Sequence, residues 1–266
     1  MQNLDPVIFL GPVGYIAFSG FLVAYWHFRR RLGILVLFLS AVAYFASIAV
    51  KVVFQAFTYG WVQSTFGTVS VPTGLYFGAQ TCILEVGLAY LVARVAVTRR
   101  AIDAGDAEGY GVSLAFWENG VLLGALPLLN LSVVYALIAT NLLPPSLYQT
   151  VVTSEPSVFD PPSQLIFPVA LGILERFSSF LLHFSWGYLC VLAAYLHKKK
   201  YLVLALPMGL VDALVPFAGE IPAWEFEAIL FLIALGAAGL TWRVTMKDRS
   251  SGYGKELSPG PATTRS

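Results

Sequence analysis

Hydrophobic positions along the chain fall into long runs broken by short polar stretches. Seven runs are long enough to cross a bilayer: roughly 6–28, 32–57, 74–97, 110–139, 164–196, 201–218 and 223–243. About 20 apolar residues cover a hydrocarbon core of roughly 30 Å as a helix. The fourth and fifth runs are longer than one straight crossing needs, so each is expected to tilt or to project into water. The sixth is short and carries Pro207, Gly209 and Pro216, which predicts a bent or broken helix. The expected fold is therefore all-α, a polytopic membrane domain over residues 1–246. The polar, Gly-, Ser- and Pro-rich segment 247–266 is expected to be a disordered tail. The connection 141–163, with five prolines, is expected to be stiff and irregular.

Composition agrees with this pattern. Apolar residues make up 58% of the chain and charged residues 12%, and the mean hydropathy is +0.74. A soluble core has no use for so much apolar surface, which excludes a cytosolic enzyme, a nucleic-acid-binding domain and a disordered protein. The start, MQNLDP, has no basic region, so no cleaved signal peptide is expected. Cys82 and Cys190 both lie in apolar runs and offer no disulfide framework or metal knuckle.

The net charge of +1 is uninformative, but the placement of the charges is not. All sixteen Lys and Arg residues except Lys51, Arg94 and Arg176 lie in alternate connections and the tail. The connections around 58–72, 140–163 and 219–222 contain none. By the positive-inside rule the N-terminus lies outside and the C-terminus in the cytoplasm of a cell membrane. Lys51 is read as snorkelling to the outer interface and Arg94 to the inner one.

Ionisable groups at mid-bilayer are costly and call for a reason. Six stand out: Glu85, Glu118, Glu175, Arg176, His183 and Asp212. Counted from the basic end of each helix, Glu85, Glu118, His183 and Asp212 share a layer roughly 13–20 Å deep on four different helices. Arg176 and His183 are two turns apart on one face, with Ser179 between them and Cys190 continuing the stripe; Asn119 lies beside Glu118. Gly120, Gly124, Gly172 and Gly187 would let backbones approach closely enough to bury the cluster. Carboxylates with a histidine suit water activation, Glu taking the proton while His or Arg stabilises an oxyanion. They suit a proton relay or a cation-coupled transporter equally well. A retinal pigment is disfavoured, because the seventh run has no lysine for a Schiff base.

The string ERFSSFLLHFSWGYL, with His183 seven residues after Arg176, resembles the ER-x6-H signature of the YhfC family of membrane peptidases. That family is similar to the CAAX prenyl endopeptidases and bacteriocin-immunity (Abi) proteins, which are glutamate-dependent intramembrane proteases. LEVGLAYL (84–91), GYGVSLAFWEN (109–119) and LPMGLVDAL (206–214) resemble three further motifs of the family in the required order. The likeness covers the third to sixth runs. It implies a hydrolase in which Glu85 activates water, His183 stabilises the oxyanion or shares the proton, and Asp212 orients either partner. The Glu85–His183 site is expected to open toward the cytoplasmic side. Glu118, Asn119, Glu175 and Arg176 would support the site. Implied partners are membrane lipid and a membrane protein or peptide substrate, with no nucleic acid. The sequence departs from the family pattern at Val86, Ala89, Leu114 and Met208. With one intramembrane histidine left, nitrogen ligands for a metal are few and no cofactor is expected, though a metal is not excluded. A catalytically silent relative that binds a membrane partner is the other reading of those departures.

Overall fold

In the computed structural model, residues 4–30, 32–154 and 159–248 are described, and the tail from 249 onward lies outside them. The described residues are helical, without strands, and seven helices are long and apolar enough to cross a membrane. They are α1 (Pro6–Arg30), α2 (Ile34–Phe66), α3 (Val71–Thr98), α4 (Ala104–Ala139), α5 (Pro162–Tyr195), α6 (Lys199–Phe217) and α7 (Ala223–Lys247). The protein is an all-α multi-pass membrane protein. Large side chains such as Phe21, Phe38, Phe57 and Leu232 point outward and exposed, which suits a lipid solvent and not an aqueous one.

Local chemistry sets several helix ends. Asp5 accepts from the Val7 amide ahead of α1, Ser70 from the Thr73 amide at α3, and Asp103 and Asp106 form a reciprocal capping box at α4. The connection expected to be irregular contains a short helix, Pro145–Ser154. Pro144 precedes the helix and Pro145 occupies its first turn, where a missing N–H costs nothing.

Helix α5 is the centre of the bundle, touching α1, α3, α4, α6 and α7, while α3 lies along α6 and α4 along α1. Lipid gives helices no hydrophobic reason to associate, so close backbone packing must hold them. Gly111 of α4 sits on the Phe184 carbonyl of α5, and a Cβ at Gly187 would lie 2.8 Å from Gly111 Cα. A Cβ at Gly209 of α6 would likewise lie 2.7 Å from the Cys82 amide nitrogen of α3. These two crossings pull the four helices that carry the ionisable groups together. Gly120, Gly124 and Gly172 serve a different contact: they face Ser19, Ile16 and Tyr15 of α1.

The packed core fills the basic half of the bundle. Ala89, Ala93 and Ala96 of α3 meet Tyr110, Leu189, Leu192 and Tyr201 there, and the Tyr110 hydroxyl donates to the Ala89 carbonyl at 2.9 Å.

Three helices leave α geometry at mid-bundle. α3 is π-helical over Thr81–Val86, α4 over Trp117–Ala125, and α6 tightens to a 3-10 helix over Leu206–Phe217. The expected irregularity of the sixth run is therefore present as a change of helix type. These segments carry Glu85, Glu118 and Asp212. Deviations of this kind concentrate at functional sites, and in a membrane they need a cavity or protein around them.

Candidate functional site

The three irregular segments and α5 surround a cavity of about 580 Å3. Glu85, Glu118, Glu175, Arg176, His183 and Asp212, read from the sequence as one cluster, all line it. His183 is its buried centre. The imidazole Nε2 lies 2.5 Å from Glu118 Oε2 and 3.5 Å from Glu85 Oε2. On the other side of the ring, Nδ1 is 3.0 Å from the Ser179 carbonyl and 3.3 Å from its hydroxyl. A carbonyl only accepts, so Nδ1 carries a hydrogen and Nε2 is the atom turned to the carboxylates. Trp186, with its ring centre 4.0 Å from the imidazole, and Tyr44, at 6.2 Å, fix the ring's plane.

Each glutamate is held by its other oxygen. Glu118 Oε1 accepts from Ser179 at 3.2 Å and from Arg176 at 3.4 Å, and Arg176 also pairs with its neighbour Glu175. Glu85 Oε1 accepts from Lys51 at 2.7 Å and from the Thr81 hydroxyl at 3.3 Å. Lys51 also donates to Thr81 Oγ1 at 2.8 Å and to Asp212 Oδ2 at 3.1 Å, and Thr81 donates to the same Asp212 oxygen. Asp212 thus acts on Glu85 through Lys51 and Thr81; among the described residues it makes no hydrogen bond or ion pair with His183.

Several expectations change. Lys51 does not snorkel. The second helix runs on to Phe66, well past the expected end near 57, so Lys51 sits at its midpoint and about 22 Å from the helix end. At that depth its ammonium is bound by carboxylates instead of water. Asn119 is buried but does not line the cavity; its amide donates to the Ala115 carbonyl of its own helix. Cys190, seven residues beyond His183 on the same regular helix, does not line the cavity and lies buried with its thiol 3.6 Å from the Val86 carbonyl. Glu227 of α7 lines the cavity, buried, with Oε2 lacking a hydrogen-bond partner among the described residues. A carboxylate one turn inside the expected span 223–243 was the signal for it, and the sequence reading passed over it.

Five carboxyl groups in the wall face two permanent cations, Lys51 and Arg176, and one histidine. That imbalance in a low-dielectric interior calls for protons or for a bound cation. Although Nε2 of His183 and Oε2 of Glu118 are close, the ring N–H direction does not meet the oxygen, and both atoms lack a directed hydrogen bond among the described residues. With Glu85 they are the group of donors that could hold a metal ion, their ligand atoms lying within 4.8 Å of one another. One nitrogen and two oxygens, each residue oriented from behind by Ser179, Arg176, Lys51 or Thr81, fit a divalent cation.

The cavity continues from this floor along Val215 and Leu230 to Ala218 and Ala223, which flank the connection 219–222. No lining residue lies near the ends of the helices where the basic clusters are. Compared with family models, curated proteins and solved structures, the chain matches none.

Proposed function

We propose that the protein is a glutamate-dependent intramembrane protease that hydrolyses a peptide bond in or near the bilayer of the cell membrane. The observation that carries this reading is the convergence of a buried and a half-buried carboxylate, Glu85 and Glu118, on one imidazole at the floor of a cavity inside the membrane domain. Glu85 Oε2 takes a proton from water as its oxygen attacks the carbonyl carbon; Oε1 stays anchored by Lys51 and Thr81. His183, with Nδ1–H held by Ser179 and Nε2–H paired with Glu118 as an imidazolium, stabilises the oxyanion. Collapse breaks the C–N bond, and the protonated Glu85 returns its proton to the leaving amine. Val86, Ala89, Leu114 and Met208, where the chain departs from the YhfC pattern, are buried outside the cavity lining; these departures are what a catalytically silent relative would also carry.

A metal-assisted form of the same hydrolysis is favoured by the undirected Nε2 and Oε2 atoms. There Glu85, Glu118 and His183 would hold a divalent ion, which polarises a carbonyl and acidifies water. Elemental analysis of the purified chain separates the forms: stoichiometric metal lost in His183→Ala supports the second, and full activity without metal the first.

The test of the protease is a mass-spectrometric survey of new protein N-termini in host membranes, comparing the natural chain with Glu85→Gln at equal expression. Loss of the general base lowers turnover by about 10²–10⁴-fold, so new termini near apolar segments are expected to vanish in the variant. Matching profiles would leave a catalytically silent, partner-binding protein. A pH-dependent ion flux in vesicles that changes with Glu85→Gln would point to a transporter.

A further inference from the structure

At the opposite, basic end of the bundle a second hollow, about 210 Å3, lies among the ends of α3, α5 and α6. Its wall carries Arg94 of α3, His197 of the α5–α6 connection and Lys199 of α6; Ala193, Ala194 and Leu202 form an apolar base. Among the described residues none of these three basic side chains has a carboxylate within ion-pair distance. His197 adopts the left-handed backbone conformation, φ 52°, which residues other than glycine rarely take and which turns the chain sharply from α5 into α6. Arg94 reaches the hollow from α3, and His197 and Lys199 reach it from either side of this turn.

Snorkelling explains why Arg94 leaves the apolar core, but not why three basic groups from three segments share one concave site without a counter-charge. We propose that this hollow binds a phosphate group at the bilayer surface. A tetrahedral phosphate presents several acceptor oxygens to a guanidinium fork, an ammonium and an imidazole N–H at once. Span ends lie at headgroup depth, where basic pockets between helices hold anionic lipid headgroups, and Leu202 and the alanines suit the first carbons of a lipid. An inorganic phosphate would meet the same three groups, so the experiment separates the two sources. This site is independent of the carboxylate cavity and of its proposed chemistry.

Native mass spectrometry of the full chain in nonionic detergent, titrated with phosphatidylglycerol and with phosphatidylcholine, measures the preference. A parallel arm follows thermal unfolding in inorganic phosphate without lipid. Phosphatidylglycerol is expected to bind about 25-fold more tightly than phosphatidylcholine, about fivefold for each of the two permanent cations. Arg94→Gln with Lys199→Gln should lose about fivefold for each charge removed, whereas Arg29→Gln with Arg30→Gln, at the same end but outside the hollow, should keep the preference. Arg94 and Lys199 are exposed, so neither change disturbs the core; Lys199→Gln alone carries the test if the double variant does not fold. Selective binding in the lipid arm assigns a headgroup. Stabilisation by phosphate alone, lost in the same variant, assigns a free anion. No preference and no stabilisation, or equal loss in both double variants, overturns the proposal.

Discussion

Lys51 is the residue on which the site's charge balance turns. Its ammonium stands between Glu85 and Asp212 at 2.7 and 3.1 Å, with the Thr81 hydroxyl completing the contact. Its side chain is only 15% exposed, so water does little to screen the two carboxylates it serves. Removing one partner of a buried pair costs more than the pair itself contributes, because the remaining charge has nowhere to go. Lys51→Met is therefore expected to destabilise the protein by about 3–5 kcal/mol, read as a lowered thermal midpoint in detergent. Lys51→Met with Asp212→Asn should recover part of that loss. A snorkelling lysine would predict no measurable change in either variant. The sequence did hold a sign of this role: Tyr44, Lys51 and Gln55 lie on one face of α2, and the first two line the cavity while Gln55 donates to Gln80 at 3.0 Å. What hid it was length. Hydropathy alone ended the helix near 57, and that placed Lys51 at an interface instead of at mid-membrane.

At the scale of elements, the site depends on backbones that touch. Gly111 and Gly187 bring α4 and α5 into direct contact one to two turns from Glu118 and His183, which allows the side chains of the two helices to close to 2.5 Å. An added methyl at Gly187 would meet Leu114 Cδ1 at 2.7 Å as well as Gly111 Cα. Gly187→Ala is expected to cost about 1–3 kcal/mol through overpacking. On the proposed protease activity it should also lower turnover, although no cavity side chain is removed. Gly20→Ala on α1, with nothing within 4 Å of its Cβ, is the control that should do neither. The existence and order of the spans were legible, because a run of 20 or more apolar residues has few alternatives to a crossing helix. The shared depth of Glu85, Glu118, His183 and Asp212 was legible for the same reason, since rise per residue is fixed. Azimuth was not. A π-helical turn in α3 and another in α4, and the 3-10 stretch of α6, rotate the face that an ideal helix would present. Gly120 and Gly124, within the π-helical turn of α4, meet α1, and Asn119, beside Glu118 in sequence, misses the cavity.

For the whole molecule, the division into a packed basic half and a hollow opposite half changes where a substrate would enter. The sequence reading expected the Glu85–His183 site to open toward the basic, cytoplasmic side. The alanine-lined core of α3 against Tyr110, Leu189 and Tyr201 fills that side, and the Gly209–Cys82 crossing seals α6 against α3 below the carboxylates. The cavity instead extends to Ala218 and Ala223 at the end whose connections contain no Lys or Arg. If the spans follow the positive-inside expectation, the site is accessible from outside the cell. A single cysteine at Ala218, in a chain carrying Cys82→Ala and Cys190→Ala, is expected to react with a membrane-impermeant maleimide on intact cells and to be protected in sealed inside-out vesicles. A cysteine at Lys199 should show the reverse. Labelling of both cysteines from one side would refute the alternating orientation of the spans. Labelling from opposite sides, but with Ala218→Cys reactive only in inside-out vesicles, would keep the fold and invert it, placing the cavity mouth in the cytoplasm and its substrates with it.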